Sequence, residues 1–177
     1  TLWTIFSKAK QITDKAKSAV VVSHSPQRPR LAYISPLPPE KSGIADYSAE
    51  LVPELMRYYD IDLIIEQSDV CDPWIKGNVP LRSVDWFEHH AHEFDRVLYH
   101  FGNSSMHQHM FRLLERHPGI VVLHDFYLGN IIDYMDNTDY QTGAYLTSLY
   151  YSHGFSAFAD RQAIGHTATV WKYPCNK

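Results

Sequence analysis

RLAYISPLPPEKSGIADYSAELVPELMRYYDIDLII (Arg30–Ile65) is the stretch whose reading decides the fold. Leu31-Ala32-Tyr33-Ile34-Ser35 is a short apolar run of strand length, and Arg30–Ser35 reads as the first strand. Pro36, Pro38 and Pro39 then make a stiff loop that cannot extend it, because proline lacks the backbone donor a ladder needs. Ser42 and Gly43 mark a helix start, with Ser42 able to accept a first-turn N–H. Beyond them Ala45, Ser48, Leu51, Val52, Leu55 and Met56 recur at helical spacing and predict one buried face. Ile61-Asp62-Leu63-Ile64-Ile65 follows as a second strand ending at Glu66. Strand, helix and strand at this spacing predict a right-handed crossover between parallel strands.

The same alternation continues downstream. Gln67 to Leu81, with Cys71, Pro73, Trp74, Gly77 and Pro80, reads as irregular, and a small strand is expected over Leu81–Ser83. A short helix is expected over Asp85–Glu93 and a strand over Arg96–Phe101, broken by Gly102-Asn103-Ser104. The next helix runs over Ser105–His117 with Met106, Met110, Leu113 and Leu114 inward, and Pro118-Gly119 stops it. Gly119–Leu123 is the following strand; Ile120-Val121-Val122-Leu123 has the composition of a fully buried one, so truncating Val121 is expected to cost stability. Phe126 to Lys177 reads as two or three helices with breaks near Gly143 and Gly154, and with no strand.

The fold expected is therefore α/β: a Rossmann-like, doubly wound parallel sheet of four or five strands with flanking helices, incomplete at its C-terminus. Ahead of it, Leu2, Ile5, Phe6, Ala9, Ile12, Ala16, Ala19 and Val20 share one face of an amphipathic helix, with lysines on the other, and Ser23–Pro29 reads as a linker. The chain divides into 1–29, helix and linker, and 30–177, the Rossmann-like unit.

Composition narrows the function. A formal net charge of −4 argues against nucleic acid, which needs a basic surface to neutralise phosphates. Cys71 and Cys175 stand alone, without the spacing of a disulfide framework or a zinc site. Apolar runs such as Ala19–Val22 are far too short to cross a bilayer, and the N-terminus lacks a signal-peptide pattern, so a cytoplasmic location is the expectation. Tyr, with 12 copies, and His, with 11, suit surfaces that are both apolar and hydrogen-bonding, such as sugar contacts.

Three motifs fall at the carboxyl ends of predicted strands, where open α/β sheets bind ligands: Ser42-Gly43, Gly102-Asn103 and His124-Asp125. A glycine at a helix start offers free N–H groups to a phosphate and lets it approach the backbone closely. His124 can donate to a hydroxyl or stabilise developing charge, and Asp125 can hold its tautomer. Each motif also has a purely architectural reading: Ser42 as cap, Asn103 as an ordinary turn residue, Asp125 as cap of the next helix. Their shared edge favours a ligand that is phosphorylated or rich in hydroxyls. His90/His92 and His107/His109 have ligand-like spacing, but i and i+2 on a helix diverge, so no metal is called for.

RLAYISPLPPEKSGIADY (Arg30–Tyr47) and YHFGNSSMHQHMFRLLERHPGIVVLHDFYL (Tyr99–Leu128) resemble bacterial glycosyltransferases of the large retaining family 4 type, which have the GT-B fold. The likeness covers roughly Arg30 to Asn176. It implies the N-terminal, acceptor-side domain of a two-domain enzyme that moves a sugar from a nucleotide-sugar to a polysaccharide or lipopolysaccharide acceptor. Ser42 and Gly43 map to the loop beside the donor diphosphate and His124 to the catalytic histidine facing the donor sugar; Asp46, Asn103 and Asp125 match the motifs as further donor-site positions. Family members hold the nucleotide mainly through a second, C-terminal domain, so this chain alone is expected to be inactive. The resemblance implies no cofactor beyond the donor substrate, and fits a cytoplasmic enzyme peripheral at the inner membrane. An open sheet edge is also compatible with self-association. The alternatives are a non-catalytic carbohydrate-binding or scaffold module of the same fold and a histidine-based metal-dependent hydrolase.

Overall fold

The computed structural model describes residues 28–175. The segment read as an amphipathic helix, and the linker up to residue 27, lie outside them. From β1 (Arg30–Ile34) the chain passes through α1 (Gly43–Leu55) to β2 (Asp60–Ile65), then α2 (Pro73–Asn78) to β3 (Leu81–Ser83). It continues through α3 (Val84–His90) and a 3-10 turn (Ala91–Glu93) to β4 (Arg96–Phe101). A second 3-10 turn (Ser105–His107) leads into α4 (Gln108–Arg116) and β5 (Ile120–Leu123). Three helices close the described chain: α5 (Gly129–Asn137), α6 (Ala144–Ile164) and α7 (His166–Lys172).

The strands form one sheet in the order β3-β2-β1-β4-β5, with every pair parallel. The winding reverses between β1 and β4, which opens a crevice beyond their carboxyl ends. Alternation along the strands sorts the core into two layers. Leu31, Tyr33 and Leu63 face Val52 of α1 and Ile75 of α2. Ala32, Ile34, Tyr99 and Phe101 face Phe87 of α3 and Met110 and Leu113 of α4. The fold is the expected doubly wound, Rossmann-like α/β architecture. Leu128, Ile131, Ile132 and Met135 of the α5 region pack with Tyr145 and Leu149 of α6 in a separate cluster.

Two expectations change. The segment Gln67–Leu81 is not wholly irregular: Asp72 caps α2 by accepting from the Ile75 N–H at 3.0 Å, and Pro73 sits at the helix start, where its missing donor costs nothing. His107 and His109 are both buried but lie in different surroundings, His107 against Gly102 and Ser104 and His109 in the wall of a concavity beside Glu40 and Glu66. Finally, β5 is an edge strand rather than a buried one. Ile120 is 58 % exposed and Val121 41 %, since among the described residues β5 pairs only with β4 and the C-terminal helices stand off from it across an apolar cleft. The stability cost expected of truncating Val121 therefore does not carry over. The breaks expected near Gly143 and Gly154 are present; at Gly154 (φ 74°) α6 divides into two helical pieces.

Candidate functional site

The three motifs meet around Gly102. A Cβ at that position would stand 2.4 Å from Ile44 Cδ1, 2.9 Å from His107 Cε1 and 3.2 Å from Asp125 Oδ2, so the start of α1, the turn after β4 and the end of β5 close on a bare backbone. Replacing Gly102 by alanine is expected to destabilise the fold by about 1–3 kcal/mol through overpacking, read as a lower denaturation midpoint in urea.

The start of α1 is held from two sides. Ahead of it, the Gln67 amide accepts from the Leu37 N–H (2.8 Å) and donates to the Leu37 carbonyl (2.7 Å), pinning the proline-rich loop to the end of β2. At the helix itself the Ser42 hydroxyl accepts from the Ile44 N–H at 3.2 Å. The Ser42 carbonyl accepts from the N–H groups of Ala45 (2.9 Å) and Asp46 (3.2 Å). Ser42 is thus the cap of α1. Gly43 is exposed, and a Cβ there would meet nothing within 4 Å, so the space before the helix is open to a ligand. Asp46, exposed in the first turn, sets a negative charge where the helix dipole would otherwise favour an anion. Below, Ser48 joins α1 to β1: Tyr33 Oη donates to its hydroxyl at 3.0 Å, and Ser35 Oγ lies 2.7 Å from it.

Asn103 and Asp125 tie elements together. Asp125 Oδ2 accepts from the Asn103 N–H at 2.8 Å. Asn103 Oδ1 accepts from the Ile131 N–H at 3.0 Å in the first turn of α5, a helix without a side-chain cap of its own. Asp125 neither caps α5, which begins at Gly129, nor is the group that holds His124.

That group is His100, which the sequence reading did not single out. The His124 N–H donates to the Phe101 carbonyl at 2.9 Å and extends the β4–β5 ladder by one residue. His100 and His124 therefore stand side by side, and His100 Nδ1 lies 2.9 Å from His124 Nε2. His100 is buried, with its ring stacked on Tyr33 at 4.6 Å between centroids; Tyr47 of α1 lies edge-on to His124 at 5.2 Å. Burial, reinforced by His124 and His107, lowers the His100 pKa to about 4, so His100 is neutral near pH 7. One proton then lies between the facing nitrogens. His100 Nε2 is buried without a partner, and a bare lone pair is tolerated better than a bare N–H. The favoured arrangement has His100 Nδ1–H donating to His124 Nε2, which leaves the His124 proton on Nδ1. Exposed His124 then offers an N–H at the carboxyl edge of the sheet. The signal in the sequence was a lone histidine inside the apolar run of β4, two residues before Gly102.

Among the described residues no three His, Cys, Asp or Glu side chains converge to hold a metal. No described helix is long and apolar enough to cross a membrane. No family model, curated protein or solved structure matches the chain.

Proposed function

We propose that this chain is the acceptor-side, Rossmann-like domain of a retaining glycosyltransferase that moves a sugar from a nucleotide-sugar to a polysaccharide or lipopolysaccharide acceptor. The observation that carries the reading is the His100–His124 pair, which sets an oriented imidazole N–H beside the open start of α1. Retaining sugar transfer separates charge: the sugar becomes cationic as the diphosphate leaves. In this reading His124 donates to a sugar hydroxyl and orients the ring, while the Gly43 N–H helps to balance the departing phosphate charge. Ser42 holds the helix start, and Asn103 and Asp125 hold the loops that carry the site. Asp46 faces solvent and weakens the pull on an anion, so the second domain supplies most of the diphosphate binding.

That same carboxylate favours a second reading, a carbohydrate-binding module without catalysis, in which no diphosphate approaches α1. Calorimetric titration with nucleotide-sugars separates the two. The glycosyltransferase reading expects saturable heat from the chain extended through a second domain and none from the 177 residues alone. Tight donor binding by these residues alone would overturn the split site, and no binding by either form would favour the module.

A further inference from the structure

The bond from His100 holds His124 through one atom. His124 Nε2 faces His100 Nδ1 at 2.9 Å, and the side chain stands exposed at the end of an edge strand. In an imidazole, Nε2 lies close to the extension of the Cβ–Cγ bond. A hydrogen bond there fixes the tautomer and the reach of the side chain. Rotation about χ2, however, leaves Nε2 nearly in place and swings Nδ1 through an arc. That torsion is intrinsically broad, because it joins an sp³ carbon to an sp² ring. The His100 bond alone therefore leaves the direction of the Nδ1–H open.

A second contact lies off that axis. The ring centroids of Tyr47 and His124 are 5.2 Å apart with their planes at 72°, an edge-to-face arrangement. Tyr47 also stands 5.8 Å from His100, whose ring is 5.2 Å from that of His124. The three rings close a triangle, and buried Tyr33, stacked on His100 at 4.6 Å, gives it a base. Tyr47 enters from α1 one helical turn beyond Gly43, so the two share a face of that helix. The helix is itself fixed, by the Ser42 cap and by the hydrogen bond from Tyr33 to Ser48. The Tyr47 ring is thus carried on a rigid element and stands between the open start of α1 and the imidazole.

We infer that Tyr47 is a positioning residue: its ring fixes the plane of the His124 imidazole, and with it the direction of the Nδ1–H relative to the start of α1. It does so by the shape of the ring and not through the hydroxyl, so phenylalanine serves in its place and an aliphatic side chain does not. What the oriented N–H does to a sugar rests on the glycosyltransferase reading; that Tyr47 orients it does not.

The 177-residue chain can be compared with its Tyr47→Phe and Tyr47→Leu variants by NMR, following the motion of the His124 ring Cδ2–H bond and the ring ¹⁵N shifts. The order parameter is expected near about 0.85 in the native chain and in Tyr47→Phe, and below about 0.6 in Tyr47→Leu. The ¹⁵N shifts, which report the tautomer set by His100, should agree in all three. Tyr47 is 46 % exposed, so leucine is tolerated there and the spectrum should stay dispersed; the phenylalanine variant tests the assignment with the ring retained. A His124 ring as rigid in Tyr47→Leu as in the native chain, or as mobile in Tyr47→Phe as in Tyr47→Leu, would overturn the assignment. So would ¹⁵N shifts that change together with the mobility, because Tyr47 would then act on the His100 bond and not on the ring plane. In the chain extended through a second domain, Tyr47→Leu should lower kcat about tenfold relative to Tyr47→Phe, with a smaller change in KM. An extended chain that transfers no sugar would remove the glycosyltransferase reading and leave the NMR result standing, so the two failures are told apart.

Discussion

On the proposed glycosyltransferase reading, His124→Ala in the chain extended through a second domain is expected to lower turnover by about 100- to 1,000-fold, the usual effect of removing one well-placed donor to developing charge. Folding should be little affected, because the side chain is exposed at the end of an edge strand. Measuring kcat beside the urea midpoint checks both halves. If turnover stays near wild type, His124 has no part in the chemistry. His100→Phe provides the companion test. A phenyl ring keeps the stack on Tyr33 but removes the nitrogen that faces His124. Without that donor His124 should populate both tautomers, seen as a change in its ring ¹⁵N shifts, and kcat should fall more than KM changes. Unchanged ¹⁵N shifts would show that His100 does not set the tautomer. A purely structural role for His100 would lower stability and leave those shifts in place.

Stability should fall steeply on mild acidification. His100 and His109 are buried as neutral rings, and burial lowers the pKa of each from 6.5 to about 4; His107 is shifted in the same direction, again mainly by burial. Between those values the unfolded chain binds more protons than the folded one, so stability rises with pH. The contribution is complete above pH 6.5 and is lost progressively as pH falls toward 4. At the lower limit the loss is on the order of 3 kcal/mol for each of the two histidines. Glu93, paired with Arg30, has a lowered carboxylate pKa and acts in a more acidic window, so the two effects separate. Urea denaturation at pH 7, 5.5 and 4.5 reads the slope. His109→Phe should flatten it without touching the His100–His124 pair. A midpoint that does not move between pH 7 and 4.5 would show that the imidazoles are hydrated or already partnered.

Much of the architecture is legible in local patterns. A short apolar run, a proline-rich loop, Ser42 before a period of inward residues and a second apolar run specify β1, α1 and β2, because each signal acts within a few residues. The glycine breaks of the C-terminal helices are of the same kind. Asp72-Pro73 is a local signal too, and attending to it would have placed α2. The neighbours of a strand are not local. Ile120–Leu123 has the composition of a central strand yet lies at an edge, because hydrophobicity records a preference for burial and not what covers the strand.

The site divides along the same line. By itself the sequence determined a parallel α/β fold and put Ser42-Gly43, Gly102-Asn103 and His124-Asp125 at one edge of the sheet, since periodicity and chain direction place every strand end on one side. Only the tertiary structure decided the roles within that edge: Ser42 became a cap, Asn103 and Asp125 became ties between loops, and His100 became the partner of His124. The reason is physical. A hydrogen bond is made over about 3 Å between groups that the sheet brings together, and His100 and His124 are separated by a whole helix in the chain but by one strand spacing in the fold.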